Sequence, residues 1–334
     1  MRLFFDPRQL AHAPMQELHN GAFVPYAETP ARAEALCAGA GAVEVPADHG
    51  EAPILAVHKA DYVAFLKTAH ARWVAAGRPG DVMGYVWPVI GRRALDLTRI
   101  DALAGLYSMD SSTPLTADSW TSAYWSTQSA LSALDAVLAG DKAAVGLCRP
   151  PGHHAGADYL GGYCFINQAA VAAQAARDAG VERVAILDID YHHGNGTQDI
   201  FWDRGEVFYA SVHADPATDF PFYWGHADER GEGEGAGSTL NLPLPQGTDI
   251  AAFRAAQATA LAAIAKFAPG LLIVSFGADT FAGDPISNFA LQTEDYAVLA
   301  KDIASIGLPT VVLTEGGYAV DALGDNLASF LSGF

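Results

Sequence analysis

The chain has 334 residues, 51% of them hydrophobic, with 19 basic and 38 acidic residues and a formal net charge of −19. That is enough apolar chain for a sizeable core, and so negative a field disfavours nucleic acid or an anionic substrate while attracting small cations. Cys37, Cys148 and Cys164 show no paired spacing, which argues against a disulfide framework; with no charged leader at the start and no apolar run reaching the roughly 18 residues of a bilayer span, no membrane role and a cytoplasmic location are expected.

In chain order, the first five residues read as a strand, and nothing after them marks a domain boundary: no Pro/Ser-rich linker, low-complexity tract or repeat interrupts residues 1–334, so one domain is expected. Residues from about 75 to 120 are the least regular part, rich in Gly, Pro and aromatics, as in Gly77-Arg78-Pro79-Gly80 and Met83-Gly84-Tyr85-Val86-Trp87-Pro88. Long loops over an α/β scaffold are commonly functional lids. Helical patterns over Ser122 to Leu138, Gln168 to Ala179, Ala251 to Phe267 and Thr293 to Ile306 alternate with apolar runs, which predicts an α/β fold.

Four apolar runs each end in a polar cluster. Ala144 to Cys148 is followed by Arg149-Pro150-Pro151-Gly152-His153-His154, then by the glycine turn Gly161-Gly162-Tyr163-Cys164-Phe165-Ile166-Asn167. Val184 to Leu187 leads into Asp188-Ile189-Asp190-Tyr191-His192-His193-Gly194-Asn195-Gly196. These runs are continuously apolar, as strands buried on both faces are, and ligands of open α/β sheets bind at carboxyl ends of strands. Side chains alternate along a strand, so Asp188, Asp190 and His192 are expected on one side. Leu271 to Phe276 ends in Gly277-Ala278-Asp279, and Thr310 to Thr314 ends in Glu315-Gly316-Gly317-Tyr318.

Asp190, His192 and Asp279 make a set of one histidine and two carboxylates, which suits a divalent metal left open to water. Zinc is the first choice, although oxygen-rich ligation also admits iron(II), cobalt or manganese. Two adjacent histidines, His153 and His154, can supply a base and an acid if their partners set their pKa values apart; Asp188 and Asn195 are the expected partners. Tyr318 is placed to aim its hydroxyl at a developing oxyanion.

These segments, in this order, closely resemble the histone deacetylase superfamily, in particular its bacterial acetylpolyamine amidohydrolase branch. The resemblance runs over essentially the whole chain. It implies an arginase/deacetylase fold with a mainly parallel eight-stranded sheet and helices on both faces, and a zinc-dependent amidohydrolase that deacetylates small acetylated polyamines or diamines by activating water. It places the zinc ligands on Asp190, His192 and Asp279, the paired histidines on His153 and His154, and the catalytic tyrosine on Tyr318. His154 is expected to serve as base and acid, with His153 held protonated by Asp188. A potassium or sodium ion is implied at Asp188, Asp190, His192, Ser211 and Val212, and a second cation around Phe201 and Val207. Tunnel walls are implied at Tyr163 and Phe220. The 75–120 insertion is expected to narrow the tunnel and build a homodimer contact, with Glu17 and Asp101 as acceptors for the substrate ammonium. A glutamate of the family's amine recognition aligns with Ser112 here, leaving Asp110 as the nearest carboxylate. The rival functions are a protein acetyl-lysine deacetylase and an arginase-like two-metal ureohydrolase; the latter needs a second carboxylate close to Asp279, and Asp284 is a poor match.

Overall fold

The computed structural model describes residues 1–89 and 96–334. The chain opens with strand β1 (Arg2–Phe4), the hairpin strands β2 (Gln16–His19) and β3 (Ala22–Pro25), and helices α1 (Pro30–Ala40), α2 (Ala52–Leu55), α3 (Ala60–Ala75), α4 (Ile100–Leu106) and α5 (Ser119–Leu138). An alternating series follows: β4 (Ala143–Gly146), α6 (Gln168–Asp178), β5 (Val184–Asp188), α7 (Asn195–Ile200), β6 (Val207–Ala214), β7 (Thr239–Leu244), α8 (Ile250–Phe267), β8 (Leu271–Phe276), α9 (Thr293–Ala304), β9 (Thr310–Thr314) and α10 (Val320–Leu331). Seven strands form one sheet in the order β1-β4-β9-β8-β5-β6-β7, and every neighbouring pair is parallel.

The expected α/β class is present, with seven strands among the described residues rather than eight. Beyond β1 an eighth extended segment is reduced to a single bridge at Glu44, which exchanges backbone hydrogen bonds with Leu3 and Phe5. Pro46, two residues on, has no N–H to extend the ladder.

The strands β5, β6, β8 and β9 are buried at every position, in keeping with their largely apolar sequences. Alternate residues feed two cores. Leu187, Val212, Val274 and Val312 pack with residues of α1, α8, α9 and α10; Ile186, Val207, Ile273 and Val311 pack with α5 and α6. Local chemistry sets the helix starts: Asn167 accepts from the Ala170 N–H, Asp249 from the Ala252 N–H, and Gln292 with Asp295 closes a capping box.

Two expectations need correction. Helix α8 is long and apolar enough, by length and composition alone, to cross a bilayer; its Phe253, Ala260, Leu261 and Ile264 are instead buried in the core beside the sheet. The 75–120 insertion is more ordered than its composition suggests, because Val82, Ile100, Leu103, Ala104 and Leu115 join Tyr62, Phe65 and Trp73 in a third core. Residues 90–95 of that insertion lie outside the described residues.

Candidate active site

The carboxyl ends of β4, β5, β8 and β9 carry the four polar clusters. Strand β5 stops at Asp188, so Asp190 and His192 sit on the turn beyond it rather than on the strand. Asp190, His192 and Asp279 still converge, with one ligand atom from each lying within 4.8 Å of the others. His192 Nδ1 is 3.4 Å from Asp190 Oδ1 and 3.1 Å from Asp279 Oδ2. A tetrahedral ion with bonds of about 2.0–2.1 Å has an edge of about 3.3 Å, so this spacing fits zinc.

The electrostatics point the same way. Burial, with Asp190 close by, pushes the Asp279 carboxyl up to about 7, while Asp190 is held ionised and low against its own burial by His153 and His192. The remaining oxygens are pinned: Asp190 Oδ2 accepts from Gly316 N (2.8 Å) and Asp279 Oδ1 from Tyr191 N (2.9 Å). Two buried carboxylates crowded on one imidazole are relieved by a cation between them. Gly316 has to be glycine, since a Cβ there meets both carboxylates.

The histidine pair is split by its partners. His153 Nδ1 lies 3.1 Å from Asp188 Oδ2, and His154 Nδ1 lies 2.7 Å from Asn195 Oδ1. Burial pulls His153 down, but Asp190 and Asp188 outweigh it and carry its pKa to about 10. Asp188 is itself pushed up by burial; with Tyr209 Oη also donating to its Oδ2 at 3.0 Å, the ion pair is the form this geometry favours. His154 is driven well below its usual value, first by burial and then by the positive charges of His153 and His192. The two rings lie 4.0 Å apart, and their partners favour a cationic His153 beside a neutral His154.

The Tyr318 loop is held from several segments. Arg32, fully buried, donates from Nε to Gly317 O (2.5 Å) and from Nη2 to Glu315 O (2.6 Å), and its guanidinium lies over the Tyr318 ring. Asp284 Oδ2 accepts from Tyr318 N (2.7 Å) and Ala319 N (3.2 Å), which occupies it and removes it as a ligand for a second metal. The Glu315 carboxylate accepts from Gly152 N, His153 N and Ser275 Oγ, which ties the tyrosine's strand end to the histidines'. Arg32, Asp284 and Glu315 had no assigned role in the sequence; Glu315 and Asp284 stood within or beside the motifs, whereas Arg32 carried no signal.

Tyr163 and Phe220 line the site. Tyr163 packs edge-on to Tyr318 at 5.6 Å, and Phe220 edge-on to His154 at 5.1 Å. Tyr163 holds a left-handed φ of 67° after Gly162 at 52°, where a Cβ on Gly162 would meet the His154 ring. Asp110 is spent on this turn, since its Oδ2 accepts from Gly162 N at 2.6 Å. Glu17 is buried beside the wall, accepting from Tyr163 Oη at 3.0 Å, and burial pushes its carboxyl up to about 7. Asp101 is a correction: it is clamped by Arg78 (2.7 Å) and Arg99 (2.8 Å) and is no free acceptor for an ammonium. Ser211 sits opposite Asp188 in the β5–β6 register, with Val212 next to it on β6. Phe201 and Val207 lie in the core packed on α5 and α6.

An all-parallel sheet whose carboxyl edge joins a two-carboxylate, one-histidine donor set to a split histidine pair and a tyrosine is the arrangement of an amidohydrolase, an enzyme that cleaves amide bonds with water. A model of the histone deacetylase domain matches residues 6–334, and the chain belongs to that family. Acetylpolyamine amidohydrolase 1 of Pseudomonas aeruginosa is 45% identical over 343 residues, covering 100% of this chain and 98% of the relative. The acetylpolyamine amidohydrolase of Mycoplana ramosa is 45% identical over 338 residues, covering 100% and 99%. The crystal structure of an acetylpolyamine aminohydrolase from Burkholderia pseudomallei superposes with a TM-score of 0.96 at 42% identity, covering 100% of this chain and 98% of that one.

Proposed function

We propose that this protein is a deacetylase of small acetylated polyamines or diamines. The observation that carries the chemistry is the pair of adjacent buried histidines, one on the Asp188 carboxylate and the other on the Asn195 amide, beside a three-donor set. The substrate class rests on full-length similarity to acetylpolyamine amidohydrolases, on the aromatic walls and on the acidic chain.

Asp190, His192 and Asp279 would hold a zinc ion, which when bound supplies Lewis acidity and lowers the pKa of water at that point. Neutral His154 takes a proton at Nε2 from the attacking water as the new C–O bond forms. Tyr318 donates its hydroxyl to the carbonyl oxygen as that oxygen gains charge, and cationic His153 adds a fixed positive charge beside it. His154 then returns its proton to the departing nitrogen as the C–N bond breaks, leaving acetate and the free amine. Glu17 is the acceptor proposed for the substrate's distal ammonium.

A potassium or sodium ion at Asp188, Asp190, His192, Ser211 and Val212 is supported by unspent acceptors. Among the described residues no hydrogen bond is accepted by the carbonyls of Asp190 and His192, and Asp188 Oδ1 takes only a 3.2 Å bond from Asp190 N. A homodimer built through the insertion is supported by the exposure of Tyr85, Val86 and Val89 in it.

The test is kcat/KM of the zinc-loaded protein for acetylputrescine, acetylcadaverine and acetylspermidine beside an acetyl-lysine peptide. Preference for the free amines supports the reading; preference for the peptide replaces it with a protein lysine deacetylase.

A further inference from the structure

His154 can act as a base at Nε2 only if its ring proton sits on Nδ1. An imidazole alone does not choose, because its two neutral tautomers differ little and the group facing Nδ1 decides. Here that group is the Asn195 side chain, an amide that presents either a carbonyl oxygen or an NH2 according to a half-turn of one bond. With the oxygen toward the ring, Nδ1 must carry the proton. With the NH2 toward the ring, Nε2 carries it and the base is lost.

A chain of groups with no role in the reaction sets that half-turn. Asn195 and Asp199 stand one turn apart on α7, and the ring of Tyr159 bridges them. Tyr159 Oη donates to Asp199 Oδ2 at 2.6 Å, and Asn195 Nδ2 donates to Tyr159 Oη at 3.1 Å. Trp224 Nε1 donates to the other Asp199 oxygen at 3.1 Å. An indole nitrogen only donates and an ionised carboxylate only accepts, so the hydroxyl's one proton is drawn toward Asp199. What Tyr159 offers Asn195 is then a lone pair, which calls for the NH2. The carbonyl is left for His154 Nδ1, at 2.7 Å. The ring of Tyr159 lies against the backbone of Gly156, where a Cβ would collide with it. His154 O (3.3 Å) and Met109 Sδ (3.2 Å) are further acceptors on the NH2 side, longer than the tyrosine contact.

We infer that Tyr159 and Asp199 are positioning residues: they hold the Asn195 amide in the orientation that keeps His154 Nε2 bare and able to take a proton. This rests on His154 being the base in the proposed reaction.

The decisive variant is Asp199→Asn. Trp224 still needs an acceptor, so it holds the new side chain's oxygen and turns its NH2 toward Tyr159. The hydroxyl proton is then expelled toward Asn195, where it meets an NH2 and favours the flipped amide. Tyr159→Phe removes the link altogether. The measurements are kcat and KM for acetylputrescine on the metal-loaded enzyme, and histidine nitrogen NMR of the same protein, with the His154 signal assigned by its loss in His154→Gln. Asp199→Asn is expected to lower kcat by about 10²-fold, the low end of the cost of a lost general base, with KM changed by less than about twofold. The His154 proton moves from Nδ1 to Nε2, and in the Tyr159→Phe background Asp199→Asn has little further effect. An unchanged His154 tautomer in Asp199→Asn, or the same fold loss in both backgrounds, overturns the inference. A switched tautomer with unchanged kcat upholds the positioning and overturns His154 as the base.

Discussion

Asp284→Ala tests how far the tyrosine depends on the carboxylate beneath its backbone. Wild-type Asp284 accepts from Tyr318 N at 2.7 Å and Ala319 N at 3.2 Å through Oδ2, and from Ile286 N at 3.0 Å through Oδ1. Alanine leaves three N–H groups without this acceptor. A buried unsatisfied group costs about 1–3 kcal/mol; taking Tyr318 N in full and the two part-buried groups at the low end, where water can replace the carboxylate, the loop loses about 3–5 kcal/mol. Arg32 still grips the carbonyls of Glu315 and Gly317, so the loop is expected to shift rather than unfold. A displacement near 1 Å costs about 10²-fold in rate, and the ceiling is the worth of the tyrosine itself, about 10²–10³. We therefore expect kcat to fall about 10²-fold with KM nearly unchanged, and Asp284→Asn, which keeps one acceptor oxygen, to fall between. The assay is steady-state deacetylation of acetylputrescine, with metal content and melting temperature measured on the same samples. A folded, metal-replete Asp284→Ala enzyme within about threefold of wild type would refute the reasoning, as would an equal loss in a Tyr318→Phe background, where no hydroxyl is left to misplace.

Tyr318→Phe should lower kcat about 10²–10³-fold with KM little changed, as removal of an oxyanion donor does; near-normal turnover would remove the hydroxyl from the reaction. Glu17, with its carboxyl raised to about 7 by burial, is charged above that pH and neutral below it. KM for a monoacetylated diamine should therefore rise as pH falls through 7, and Glu17→Gln should show the high KM at every pH, while a neutral acetamide feels neither change; a diamine KM flat with pH in the wild type speaks against the ammonium contact. His58 is buried, with its pKa lowered to about 4, and its Nε2 accepts from Asn167 N at 3.0 Å. Because the unfolded chain binds this proton near pH 6.5 and the folded one does not, the stability is fully present above 6.5 and drains as pH falls toward 4, by up to about 1.4 kcal/mol per pH unit. Denaturant titrations of His58→Gln should show a shallower acid limb than wild type, and equal slopes would exclude His58 as the proton site.

Most of the site was legible because its residues share a rule that sequence displays. Each of the four clusters follows a largely apolar run, and a parallel strand delivers its next residues to the carboxyl edge. The pairings of His153 with Asp188 and His154 with Asn195 join the ends of β4 and β5, which β9 and β8 separate in the sheet, so they were readable from the family resemblance and not from strand adjacency. What stayed hidden depends on contacts between segments that no local pattern joins. Arg32 reaches Gly317 across 285 positions, and Arg149 gathers the carbonyls of Gln9, His12 and Glu28 from the other side. Asp101 read as a free carboxylate because its partners Arg78 and Arg99 lie in an insertion with little periodicity. The eighth strand, not found among the described residues, is a similar case: Val43 and Val45 suggest extension, but with Pro46 following there is one bridge at Glu44 and no ladder.

The two kinds of residue divide the work of the site. Strand ends bring carboxylates and imidazoles near one another, but only to the accuracy of a turn, while a hydroxyl that must meet a developing charge needs tighter placement. The loop bearing Tyr318 shows how that is supplied. Its carbonyls at 315 and 317 go to Arg32, its N–H at 316 to Asp190, its carbonyl at 316 to Ala278 N, and its N–H groups at 318 and 319 to Asp284. A backbone satisfied at so many consecutive points has little freedom left, although it forms no helix or strand. Two of those partners are tied to the proposed metal donors: Asp190 is one, and Asp284 lies five residues past Asp279. A shift of the donor set therefore moves the tyrosine with it, and oxyanion donor and metal site stay in register without a direct contact between them.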